Sequence, residues 1–213
     1  MKKAFTLSEM MIAMAVLGIL LAIVIPTIVN TRPDERKMLT KKAYYVTEQV
    51  ISGLINDPQL YPDNTMYCTD DNADTTCYYG FDDETSVTYN GTTYSGKTKF
   101  PKLFAEQVNV KEVTEDTSTY IITTADGMSF DFSTDSNSPL TGWTAGTAPA
   151  SNARNIIVDV NGAASPNCLE TDSGCTWADR FRIVVYSNGR MQIHEDDTTA
   201  AANVTFDTKV FEN

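Results

Sequence analysis

Histidine occurs once in these 213 residues, as His194, and cysteine only four times. No H-E-x-x-H, G-x-S-x-G or C-x-x-C is present, which removes the usual zinc-protease, nucleophile-elbow and dithiol-redox patterns. A Ser-His-Asp or Cys-His site would have to be built on His194, and Ile193-His194-Glu195-Asp196-Asp197 reads as a solvated strand end. Basic residues become scarce after the first quarter of the chain. Up to Asp57 seven Lys and Arg face five acids, a net +2; with the whole chain at −12, Pro58 to Asn213 carries −14. So acidic a body has no electrostatic claim on a phosphate backbone, and no nucleic-acid partner is expected from its charge.

A secretory leader of the ordinary kind is lacking too. Lys2 and Lys3 precede an apolar run from Met10 to Ile25, but the run ends in Ile25-Pro26-Thr27-Ile28-Val29-Asn30, with no small-x-small cleavage site. A helix from Phe5 to Ile25 would be about 31 Å long, enough to cross a bilayer. Glu9 interrupts its apolar character. A charge at the centre of such a helix costs about 2.5–3.5 kcal/mol. Near the cytoplasmic end the cost is smaller, and Glu9 reads either as a tolerated interfacial acid or as a group whose partner arrives on assembly.

The cysteines fall into two local pairs, Cys68 with Cys77 and Cys168 with Cys175, each in a loop rich in Asp, Asn, Ser and Thr. They read as two short disulfide staples, although three connectivities are formally possible. The paired C-x-x-C spacing of a zinc site is absent, and disulfides require an oxidising compartment.

Beyond the apolar run, Asn30-Thr31-Arg32-Pro33-Asp34-Glu35 reads as a helix restart, with Pro33 suited to the first helical position and two acids at the positive end of the dipole. Leu39, Ala43, Val46, Val50 and Leu54 then recur at helical spacing up to Asn56-Asp57-Pro58. Arg36, Lys37, Lys41 and Lys42 on the outer side conflict mildly with the positive-inside rule. Pro58 to Glu115 reads as loop-rich apart from a hairpin, Val87 to Tyr94, turning at Asn90-Gly91. Strands are expected at Tyr120–Thr124, Met128–Phe132, Ile156–Val160, Phe181–Tyr186 and Met191–His194, with a last one over Val204 to Phe211. Ser133 to Asn155 is expected as a surface loop. The fold class is therefore α+β, a long N-terminal helix laid on an antiparallel sheet.

Lys2-Lys3-Ala4-Phe5-Thr6-Leu7-Ser8-Glu9, the apolar run and Pro26 together resemble the leader and first helix of type IV pilins and type II secretion pseudopilins. The resemblance covers about thirty residues and is specific as a set. It implies cleavage by prepilin peptidase between Ala4 and Phe5 and N-methylation of Phe5, although Ala4 stands where the family most often has glycine. It further implies that Glu9 pairs with the N-terminal amine of a neighbouring subunit and that Pro26 is the helix-kinking proline. The implied organisation is a leader at 1–4, a transmembrane and assembly helix at 5–29, an amphipathic helix at 30–57, and an extracytoplasmic globular domain at 58–213.

On that resemblance the chain is a non-enzymatic structural subunit, single-pass in a bacterial inner membrane and then part of a periplasmic or extracellular filament. Its partners are other pilin or pseudopilin subunits, prepilin peptidase and the assembly platform. The alternative is a minor or tip subunit whose body binds a substrate, a surface or DNA. The pilus, the secretion pseudopilus and the DNA-uptake filament share this segment. Calcium is the one candidate ion. Asp70-x-Asn72-x-Asp74 starts like an EF-hand loop, then fails at Thr75 and Phe81. Asp159, Asn161, Asp172 and Asp179 resemble a calcium-binding loop region of some pseudopilins, and turn chemistry explains Asp159 to Gly162 equally well.

Overall fold

The computed structural model describes residues 7–31, 35–60, 86–133, 153–186 and 189–205, with side chains on the first helix described as far as Ala22. The chain divides into two compact units, Met1–Met38 and Leu39–Asn213. In the first, α1 runs over Leu7–Thr31 and carries Glu9 in its first turn. Its described side chains are exposed, from Leu7 at 81% through Met11 and Ile12 to Leu21 at 48%. Among the described residues no helix is long and apolar enough to cross a membrane.

The second helix, α2, spans Glu35–Ile55. From Leu39 onward its buried positions are Thr40, Ala43, Thr47, Val50, Ile51 and Leu54, with Leu39 and Val46 half-buried. The stripe expected from spacing is present but widened by two threonines and Ile51. Thr47 can be buried because its hydroxyl donates to the Ala43 carbonyl at 2.9 Å, one turn back.

A short hairpin, β1 (Val87–Tyr89) and β2 (Thr92–Tyr94), turns at Asn90 and Gly91 with φ of 49° and 81°. That left-handed pair is what Asn-Gly supplies to a hairpin turn at little cost. Next comes α3, Lys99–Gln107. The main sheet is a six-stranded antiparallel meander in chain order: β3 (Val110–Glu115), β4 (Tyr120–Thr124), β5 (Ser129–Asp131), β6 (Ala153–Asp159), β7 (Arg180–Tyr186) and β8 (Met191–Ile193). Asp126-Gly127 turns β4 into β5, and Gly189 closes the turn between β7 and β8 with its N–H on the Tyr186 carbonyl. A last helix, α4, covers Thr198–Val204.

One apolar cluster unites the α2 stripe, the hairpin, α3 and one side of the sheet. At its centre Phe104 lies 5.2 Å, centroid to centroid, from both Phe130 and Phe132, and Phe100 is 5.7 Å from Phe132. Each such ring, fully buried, contributes about 1.5–3 kcal/mol by transfer alone. Inward positions alternate along β4 (Tyr120, Ile122, Thr124), β6 (Ile156, Val158) and β7 (Phe181, Ile183, Val185).

Four expectations need correction. The stretch Pro58 to Glu115 holds α3 and β3 as well as the hairpin. Pro101 disguises α3, yet it falls in the first turn, where its missing N–H costs nothing. β6 begins at Ala153, inside the segment expected as a loop, because Arg154 is buried and gives an Nη2 hydrogen bond to the Phe132 carbonyl at 3.1 Å. Val204 is helical rather than the start of a strand, and 206–211 of that expected strand lie outside the described residues. Finally β3 escaped notice because all its side chains but Val110 are exposed, leaving no alternation to read.

Gly189 has φ of +80°, and a Cβ there would stand 1.8 Å from Ile55 Cδ1. Gly53, by contrast, sits on α2 with nothing within 4 Å. Gly189→Ala is expected to lower unfolding free energy by about 2–3 kcal/mol and Gly53→Ala to raise it by about 0.5–1 kcal/mol in denaturant titrations. Equal effects from the two would contradict this packing.

Candidate functional site

Of the residues singled out in the first unit, Ala4 and Phe5 lie outside the described residues. Glu9 is exposed on the first turn of α1, with the exposed Ile12 three residues on along the same face. A carboxylate at a helix N-terminus is favoured by the dipole. The backbone of α1 is helical through Pro26.

In the second unit, Cys168 and Cys175 form a disulfide with a Cα–Cα distance of 5.9 Å. Cys68 and Cys77 lie outside the described residues. The disulfide closes a loop between β6 and β7. Asp179, 3% exposed, ties its base: one carboxylate oxygen accepts from the Asn167 N–H and the other from the Cys168 N–H, each at 2.9 Å. Asp172 caps the loop's inner turn by accepting from the Leu169 N–H at 2.8 Å.

Asp159, at the end of β6, accepts from the Asn161 N–H at 3.2 Å, and Arg180 Nε stands 3.8 Å from its other oxygen. Its pKa is pushed up to about 6, by burial first and by the Asp179 charge next among the raising effects. The structure therefore brings Asp159 and Asp179 within electrostatic reach and leaves an Asn161 Oδ1 that is buried without a hydrogen bond. Among the described residues no three His, Cys, Asp or Glu side chains gather as metal ligands. Calcium takes about six to eight oxygens. Here a guanidinium stands beside Asp159, and Asp179 and Asp172 accept hydrogen bonds from backbone N–H groups.

His194 follows β8. Its Nδ1 accepts from the Asp196 N–H at 3.3 Å and lies 3.5 Å from the Asp196 carboxylate, in a turn beside the C-terminal helix. An open groove of about 620 Å³ between α2, α3 and the β4–β5 turn has the apolar wall Val46, Val50, Val108 and Met128, with Gln49 and Asn109 on its rim. Its one carboxylate, Asp126, is held by Lys42.

Two clamps that spacing did not reveal hold the C-terminal part. Arg182 on β7 binds Asp197 through Nε at 2.9 Å and Nη2 at 3.0 Å, and the Arg182 N–H donates to the same carboxylate at 2.7 Å. Glu170, from the disulfide loop, accepts from the Thr198 hydroxyl at 2.7 Å and the Thr199 N–H at 2.9 Å. Neither pair shares a helical or strand period, so only the folded chain shows them.

Because the folded pKa of Asp159 is raised, the folded state binds its proton more tightly than the unfolded chain does. Stability from this group is full below pH 3.8 and lost as pH rises through 6. Two pKa steps correspond to roughly 2–3 kcal/mol. In chelator-containing buffer, Asp159→Asn is expected to flatten the decline in unfolding free energy between pH 4 and 6; an unchanged pH profile would contradict the assigned burial.

Comparison with known families matches residues 1–25 to the prokaryotic N-terminal methylation motif. No curated protein and no solved structure matches the chain. Residues 1–25 of this α+β protein, Glu9 among them, carry the type IV pilin and pseudopilin signal.

Proposed function

We propose that the chain is a structural subunit of a type IV pilus or a type II secretion filament, not an enzyme. Prepilin peptidase would cut between Ala4 and Phe5, and Phe5 would then be N-methylated. The observation that carries this reading is the match of residues 1–25 to the methylation motif, on a helix whose apolar side chains are uncovered from Leu7 to Leu21.

In this reading α1 has two successive surroundings. It first sits in the inner membrane, with the body outside the cytoplasm, and afterwards packs against α1 of neighbouring subunits. Both settings bury the same Met, Leu, Ile and Val side chains, at about 25 cal/mol per Å² relative to water. Apolar contact of this kind is non-directional and does not fix how far one helix slides along another. A single carboxylate does. Two opposite charges about 4 Å apart gain roughly 1 kcal/mol in water and several at intermediate dielectric, so a Glu9 paired with the amine of a neighbouring Phe5 rewards one axial register.

The body supports the reading in a different way. A disulfide at Cys168–Cys175 suits an oxidising compartment. An acidic surface keeps the body soluble once exported, and net charge of one sign disfavours unspecific association between bodies. The filament would therefore be held by α1 and spaced by the body.

Glu9→Val keeps the apolar surface and removes the charge. It is expected to leave the subunit in the membrane at normal abundance while sheared filaments fall below detection by electron microscopy and immunoblot. Normal filaments from Glu9→Val would sink the pairing role of Glu9.

A further inference from the structure

The C-terminal helix is held by a carboxylate that belongs to another part of the chain. α4 has seven residues, too few to be stable alone. Asp197 occupies its N-cap position but makes no capping hydrogen bond, because its carboxylate is engaged by Arg182. One first-turn N–H is taken instead by Glu170, 29 positions before Thr199, which accepts from the Thr199 N–H at 2.9 Å and from the Thr198 and Thr199 hydroxyls at 2.7 and 3.2 Å.

Glu170 lies inside the ring closed by Cys168 and Cys175. The two ends of that ring are anchored differently. Cys168 is fixed by the sheet: its N–H donates to Asp179 at 2.9 Å and its carbonyl accepts from the Arg180 N–H at 3.2 Å. Residues 170–174 are exposed, and their turn is bounded by the Asp172 N–H on the Leu169 carbonyl at 3.0 Å and the Cys175 N–H on the Asp172 carbonyl at 3.1 Å. The disulfide is the covalent tie that returns this turn to the fixed Cys168.

We propose that the Cys168–Cys175 disulfide is a redox latch on α4, transmitted by Glu170 as a positioning residue. Closed, it presents the Glu170 carboxylate to Thr198 and Thr199. An extracytoplasmic dithiol opens it by thiol–disulfide exchange: one thiolate attacks a ring sulfur to give a mixed disulfide, and the second thiol displaces it. Two electrons pass to the ring sulfurs, which take up two protons and remain on the chain as the Cys168 and Cys175 thiols, while the dithiol departs as its disulfide. With the ring open, residues 170–174 gain conformational freedom and α4 loses its cap. The sheet and the Asp179 tie stay in place.

Hydrogen exchange of the full-length chain in detergent micelles, read by mass spectrometry over 198–205, tests this. The variants are Cys168→Ser with Cys175→Ser, Glu170→Ala, and all three together. The cysteine pair variant and Glu170→Ala are each expected to speed exchange in α4 about five- to tenfold, the effect of losing one cap, with β6 and β7 unchanged. The triple variant is expected to be no faster than either. Unchanged exchange in α4 in the cysteine pair variant, or a triple effect equal to the product of the two, overturns the latch. So does opening of β6 and β7 in the cysteine pair variant, since the disulfide would then hold the body rather than α4.

Discussion

The burial of one side of the antiparallel meander beneath Phe100, Phe104, Ile51 and Leu54 is the interaction on which the rest of the body depends. A six-stranded sheet with an apolar side must be covered, and here two helices and a short hairpin do it. The cover is close enough that Gly189 has no room for a side chain against Ile55. Once this core is closed, the charged and hydrogen-bonded features lie at its margins: Lys42 with Asp126 at one turn, Asp179 beneath the disulfide loop, Arg182 with Asp197 behind α4.

The N-terminal helix obeys a different constraint. Its side chains from Leu7 to Leu21 are apolar and uncovered, with Glu9 as the acid of its first turn. Exposed apolar side chains in such a run are unusual on a soluble monomer. Among the described residues the body buries an apolar core, whereas α1 exposes its apolar side chains on the segment that matches the methylation motif, residues 1–25.

What could be read from the sequence was what local chemistry dictates. Asn90-Gly91 and Asp126-Gly127 set two turns, alternation marked β4, β6 and β7, and the α2 stripe followed from a period of 3.6. Phe100, Leu103 and Phe104 carry the same helical spacing and could have revealed α3, had Pro101 been read as a first-turn residue. Strand β3 carried no such signal, since its place in the sheet rests on backbone pairing with β4. The N-terminal segment was legible because the methylation motif is a contiguous run of residues. The Glu170 clamp was not, because a capping carboxylate supplied from a disulfide loop has no spacing rule, and the near approach of Asp159 and Asp179 depends on the loop between them folding back.

The central claim is that residues 1–25 act as a processed pilin-type segment rather than as an ordinary leader or a permanent anchor. Mass spectrometry of the N-terminal peptide of the protein recovered from membranes tests it most directly. The account predicts a chain beginning at an N-methylated Phe5. An intact Met1, or a chain beginning beyond Pro26, would contradict it.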